Sequence, residues 1–260
     1  MDGFERANST FSSRIEDVVA NLTLRRDHSF FVLYQGELFK REGMRADLKA
    51  DLSRALSRKA PAEVLHRGLL LQLYGTFERL ISDIAEATLE AAQMKAETYS
   101  ALDEVIRNAH TVGSARLLTK MHDRAINGVS FDFIQLQRDL SACFSDATPY
   151  RLNGGAFTAL LGVCTSDRLD TLFKSLRLGL AFEDGLVKHP SLKSWSKNAS
   201  TRDALNRTKE RLEDTVRLRN QIAHGATDPE VSDTEVEESA SFLLALGQAL
   251  LAKAEAGPRT

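Results

Sequence analysis

Residues 61–94 read PAEVLHRGLLLQLYGTFERLISDIAEATLEAAQM, and this stretch decides the fold. Leu70, Leu73, Tyr74, Phe77, Leu80, Ile81, Ile84 and Thr88 recur at intervals of three and four. That spacing is the mark of a helix with a wide apolar arc, and Pro61 suits its first turn. A helix of this length with so broad a buried face predicts a central position among other helices. At about 100° per residue, Tyr74 and Glu78 fall together on one edge of the arc. Glu78 reads either as a solvated boundary residue or as a carboxylate held beside the core.

The rest of the chain agrees with an all-α fold, having five prolines and few β-branched runs. Upstream, FSSRIEDVVANLTLRR (11–26) places Ile15, Val18, Val19 and Leu22 at helical spacing, with Ser12 or Ser13 as N-cap. HSFFVLYQGELFKREG (28–43) reads equally as a strand or a helical arm, and 44–56 returns to helical spacing through Leu48, Leu52 and Leu56. Downstream, helices are expected within 98–110, 131–144 and 167–181. The polar NGVS (127–130) separates the first two. SDATPYRLNGGAFTALLG (145–162) and EDGLVKHPSLKSWSKNAS (183–200) read as loops, the second pinned to the core by Trp195. Thr201 is the expected cap of a helix ending at Gly225. The capping-box pair Ser232 and Glu235 opens a last helix through Val236, Leu243, Leu246, Leu250 and Leu251. No repeat or linker divides the chain, so one folding unit with an N-terminal extension is expected.

Composition narrows the function classes. The 34 basic and 36 acidic residues nearly cancel, so an anionic partner has to be held by a local patch. The chain starts without a basic segment followed by an apolar block, and its longest apolar run is too short for a span. A cytoplasmic setting with no membrane contact is expected, and the N-x-S/T sequons carry no meaning there. Cys143 and Cys164 lack metal-ligand spacing and read as buried thiols. His28, His66, His110, His122 and His189 form no H-x-x-H pattern. No metal and no cofactor are expected, since nucleotide-loop and nucleophile-elbow motifs are also missing.

One anomaly stands in RLRNQIAHG (217–225). The apolar seam of its helix reads as Leu205, Leu212, Val216 and Ala223, with Ile222 beside it. Arg219 falls within roughly 20° of Leu212 on that seam. A cation on an apolar row is costly unless it is paired or faces a site. It either pairs with a buried carboxylate such as Glu78, or belongs to a functional cleft. Asn220 and His224, four apart, share a flank, and His224 lies where free carbonyls favour an imidazolium. A titratable imidazole beside a permanent cation suits phosphate chemistry. RNAH at 107–110 has its Arg and His only three apart and reads as coincidence.

At RNQIAHG the chain resembles the HEPN superfamily, whose signature is Arg, four to six residues, then His, often with Asn after the Arg. The LLLQLYGTFERLISDI segment is similar to the early core helix of the RiboL-PSP-like and related defence branches, which carries an aromatic residue and then Glu there. The resemblance covers roughly 60–255. It implies an up-and-down helical bundle over 60–255, preceded by a helical extension over 1–59. It also implies a homodimer in which two motif helices form one cleft, with metal-independent endoribonuclease activity of a toxin or anti-phage kind. The catalytic residues carried over are Arg219, His224 and Asn220, with Glu78 and Tyr74 supporting them. RNA is the implied substrate, and an antitoxin or defence-system protein the implied partner. A non-catalytic module binding RNA, nucleotide or a protein is the alternative. Some family toxins carry Tyr two residues after the His, as a modification site. Ala226 stands there here, so neutralisation by that route is not expected.

Overall fold

The computed structural model describes residues 3–41, 60–125, 133–158, 163–197, 199–225 and 229–257. Among these the protein is all-α, with nine α-helices and no strand: α1 (Gly3–Arg41), α2 (Ala60–Lys95), α3 (Glu104–Ala125), α4 (Phe133–Phe144), α5 (Gly154–Thr158), α6 (Ser166–Ser175), α7 (Pro190–Trp195), α8 (Thr201–His224) and α9 (Asp233–Glu255). Single 3-10 turns lie at Tyr99–Ala101 and Leu186–Lys188.

Helix α2 is the hub, packed by α1, α9, α5 and α8. Its arc is buried as its spacing predicts: Leu70, Leu73, Phe77, Ile81 and Ile84 are fully covered, and Tyr74 and Leu80 nearly so. Burying each such side chain contributes about 1.5–3 kcal/mol, which outweighs any local propensity along the helix. Gly247 lets α9 come close. A Cβ there would stand 2.4 Å from the Phe11 ring and 2.7 Å from Leu80. Ala7, Phe11, Ile15, Val18 and Leu22 of α1 join the same core. A smaller cluster of Leu117, Leu136 and Leu140 joins α3 to α4.

The structure corrects several local expectations. Helix α1 begins at Gly3, so Ser12 and Ser13 lie inside it and cap nothing; Ser12 instead reaches the Asn8 side chain. The ambiguous segment continues α1 as a helix through Arg41. Val19 is exposed. Residues 44–56 and 127–130 fall outside the described residues. Two stretches read as loops contain helices. In the first, Asn153 accepts the Gly155 N–H at 2.9 Å and starts α5. In the second, His189 caps α7 and Pro190 occupies its first position, where a missing N–H costs nothing. Trp195 does pin this region, its ring centroid 4.8 Å from that of Phe242. Helix α6 stops at Ser175 because the chain turns at Arg177, with φ 63°, and sends Leu178, Ala181 and Phe182 into the core.

The start of α9 shows half of a capping box. Ser232 accepts the Glu235 N–H at 3.1 Å, but the Glu235 carboxylate goes to Arg211 of α8, 2.9 Å away. Nearby, the buried His66 of α2 contacts the Val231 carbonyl at 2.8 Å through Nδ1 and the Asp233 carboxylate through Nε2. These links tie Val231, Asp233 and Glu235 to α2 and α8.

Candidate functional site

Helix α8 is capped by Ser200, not Thr201: the Ser200 hydroxyl accepts the Asp203 N–H at 3.2 Å. The helix ends as expected at Gly225, which takes φ 62° and returns its N–H to Gln221. A left-handed cap of this kind suits glycine, since it has no Cβ to clash.

Its buried stripe is Ala204, Thr208, Leu212, Thr215 and Val216. The seam read from sequence is therefore shifted: Leu205 is half-buried and Ala223 exposed. Thr208 and Thr215 belong to the stripe although they are polar. Their hydroxyls bond to the carbonyls of Ala204 (2.7 Å) and Arg211 (2.8 Å), so the threonines are buried with their donors satisfied. Arg219 is three residues past Val216 and four past Thr215. It extends this stripe, so the cation lies where the sequence placed it, on the row that faces α2.

There the Arg219 guanidinium sits over the Tyr74 ring, 5.4 Å from its centroid, a distance at which the π face attracts a cation. It donates from Nη1 to Asn220 Oδ1 at 3.1 Å. Tyr74 is 1% exposed, and its hydroxyl accepts the Cys164 N–H at 3.0 Å. Burial drives the Tyr74 ionisation far above the usual phenol range, with Cys164 and Glu78 adding to it and Arg219 opposing it. The Glu78 carboxyl is raised by burial, against the opposing pull of Arg219 and of the Tyr74 hydrogen bond. Cys164 is pushed up to about 12, chiefly by burial, which keeps it a thiol. Glu213 of α8 accepts both the N–H and the hydroxyl of Ser166 at 2.8 Å, so the 164–166 segment is held from α2 and α8 alike.

The structure thus brings Tyr74, Glu78, Arg219 and Asn220 together. It does not bring His224 to them. Five residues on a helix separate side chains by about 140° and 7.5 Å along the axis. Arg219 faces α2, whereas His224 is exposed and has no side-chain partner among the described residues. Asn220 is engaged by Arg219, and it shares a flank of α8 with His224, four residues on.

Of the basic residues Arg202, Arg207, Lys209, Arg211 and Arg217 along α8, three are engaged by other groups of the chain. Arg211 is bound to Glu235, Arg217 pairs with Asp214 at 2.6 Å, and Lys209 lies over the Phe182 ring. RNAH at 107–110 is structural. His110 is fully buried, burial lowers it to about 4, and its Nε2 accepts the Asn153 N–H at 3.3 Å. The ring proton then belongs on Nδ1, 3.2 Å from the Tyr99 hydroxyl. Among the described residues no group of three or more His, Cys, Asp or Glu side chains is arranged to hold a metal, and both cysteines are free and buried. No described helix is long and apolar enough to cross a membrane.

The component that sequence reasoning missed is the Cys164 backbone amide. A main-chain donor carries no residue-type signal, so only the tertiary fold reveals it.

With this geometry in place, comparison with known proteins is specific. A family model, RiboL-PSP-HEPN, matches residues 37–255. The chain belongs to that family, and so to the HEPN superfamily, whose modules are generally ribonucleases or nucleotide binders. No curated protein and no solved structure matches it.

Proposed function

We propose that the protein is a metal-independent endoribonuclease acting as a toxin or anti-phage effector, with Arg219, His224 and Asn220 as its catalytic residues and Tyr74 and Glu78 supporting them. The observation that carries this reading is Arg219 itself. It is a half-buried guanidinium resting on an aromatic ring, bonded only to its neighbour Asn220 among the described residues. RNA brings its own nucleophile in the ribose 2′-hydroxyl, so the protein has only to move protons and stabilise charge. His224 takes the 2′-hydroxyl proton or protonates the leaving 5′-oxygen. Arg219 stabilises the charge that grows on the phosphorus oxygens, and Asn220 holds the guanidinium in line. Purified protein incubated with total RNA is expected to fragment it. RNA that is bound and left whole would instead favour a non-catalytic binding module.

The divergence of Arg219 and His224 supports a homodimer with a composite cleft. One chain presents the two groups in different directions, and a two-fold partner bringing its own helix end alongside supplies a second set. A spin label on the exposed Gln221 is expected to give one short inter-label distance in the dimer. A long distance, or a monomer that retains full activity, would contradict the shared cleft. The residues before 60 are assigned to an extension and 60–255 to the HEPN domain proper. A protein partner that restrains the activity fits the same scheme.

A further inference from the structure

Glu213 of α8 is a carboxylate that the proposed chemistry does not use. Half-buried, it stands six residues before Arg219, about 9 Å back along the helix axis. Its Oε1 accepts two bonds from Ser166, the first residue of α6: the N–H at 2.8 Å and the hydroxyl at 2.8 Å. Thr165, the N-cap of α6, makes no side-chain bond to its own helix. Glu213 therefore does from another helix what a cap does locally. It answers an unpaired amide, and its charge faces the positive end of α6. Two residues earlier in the chain, the Cys164 N–H donates to the Tyr74 hydroxyl at 3.0 Å. The Tyr74 ring in turn carries the Arg219 guanidinium, 5.4 Å from its centroid. These contacts close a circuit. It leaves α8 at Glu213, passes through Ser166, Cys164 and Tyr74, and returns to α8 at Arg219.

We propose, resting on the role given to Arg219 above, that Glu213 is a positioning residue for that guanidinium: it holds the 164–166 segment, and through it the Tyr74 ring, in register with the helix that bears Arg219. A hydroxyl bonded to a main-chain amide is held only as firmly as that amide. Apolar burial is non-directional and sets which faces of α2 and α8 meet. The hydrogen-bonded circuit sets where the ring stands along α8. Its bonds from Ser166 are charge-assisted, and so about twice as strong as neutral ones. Without them the segment, the phenol and the guanidinium keep their neighbours but lose their common reference. Glu213 touches no substrate and moves no proton. It acts on the placement of the charge that meets the phosphorus oxygens, and small misplacements there are costly. Glu213 contributes nothing to the apolar core, so the bundle persists without it.

The test uses the full chain with isotope-labelled arginine and reads the Nε–H resonance of Arg219 by NMR, assigned by its loss in Arg219→Lys. A proton above an aromatic face is shifted upfield by the ring current, so this resonance reports the stacking on Tyr74 directly. An upfield shift is expected in the parent. In Glu213→Ala it is expected to collapse toward the position of an unstacked arginine. Glu213→Gln, which keeps an acceptor oxygen for Ser166, is expected to restore it. Cleavage of an RNA oligonucleotide is expected to follow the same order. In Glu213→Ala kcat falls by up to about 10²-fold with KM little changed, and it returns in Glu213→Gln. Tyr74→Phe keeps the ring and cuts the circuit at its hydroxyl. It is expected to cost about as much, and the double variant Glu213→Ala with Tyr74→Phe no more than either alone. A folded Glu213→Ala chain with an unmoved Arg219 resonance, with full kcat, or with losses that add to those of Tyr74→Phe overturns the proposal. If that chain does not fold, Ser166→Ala, which removes one of the two bonds, takes its place with the same outcomes read. Absence of cleavage by the parent would sink the nuclease reading instead, and the Arg219 resonance would still decide for or against Glu213.

Discussion

Arg219→Ala and His224→Ala are each expected to lower RNA cleavage by about 10²–10³-fold while leaving the fold intact. The magnitude follows from the roles. Removing a general acid or base forfeits about 10²–10⁴-fold, and removing one preorganised donor to a developing oxyanion about 10²–10³-fold. Preservation of the fold follows from the surroundings. His224 is exposed at a helix end and no side chain bonds to it among the described residues, so its loss leaves nothing unsatisfied. Arg219→Ala removes a cation–π contact of about 0.5–2 kcal/mol, and it also lifts the cost of a half-buried charge. Thermal melts of both variants should stay near the parent's. Full activity in either variant rejects its catalytic role. A variant that loses activity because it no longer folds marks its residue as structural.

A substrate with 2′-deoxyribose at the scissile position is expected to bind and to resist cutting altogether. In the proposed reaction the 2′-oxygen attacks phosphorus and the 5′-oxygen departs, so deleting that oxygen removes the nucleophile and no side chain replaces it. The Cys164 thiol is buried and held protonated by its surroundings, so it does not take the place of that nucleophile. Gel assays with one deoxy substitution placed at a mapped cut site would show the cut vanish there while sites elsewhere persist. Cutting at a comparable rate would mean that water, and not the ribose, attacks.

The large features of this site were legible in the sequence because they rest on periodicity. The arc of α2 and the position of Arg219 on the α8 row follow from counting residues at about 100° each. That count also put Tyr74 on the edge where the structure finds it under Arg219. What escaped depends on contacts that a residue count does not contain. Thr208 and Thr215 turn their hydroxyls onto their own helix and so enter the core beside Leu212 and Val216, while Leu205 and Ala223 drop out of the buried stripe. Asn153 and His189 open short helices inside stretches whose proline and glycine content reads as loop. Residue type alone does not show that, of the cationic residues on α8, Lys209, Arg211 and Arg217 find partners on other elements or on a neighbouring turn. The amide of Cys164, which fixes the Tyr74 hydroxyl and with it the platform under Arg219, had no signature at all.

The central claim is that this chain cuts RNA by internal transesterification through Arg219 and His224. The most direct test is to incubate purified protein with RNA in EDTA, beside a His224→Ala control, and to identify the new ends. The expected result is fragmentation by the parent alone, leaving 2′,3′-cyclic phosphate and 5′-hydroxyl termini. Cleavage that requires added Mg²⁺ or Mn²⁺, or fragments carrying 5′-phosphate, would contradict the account.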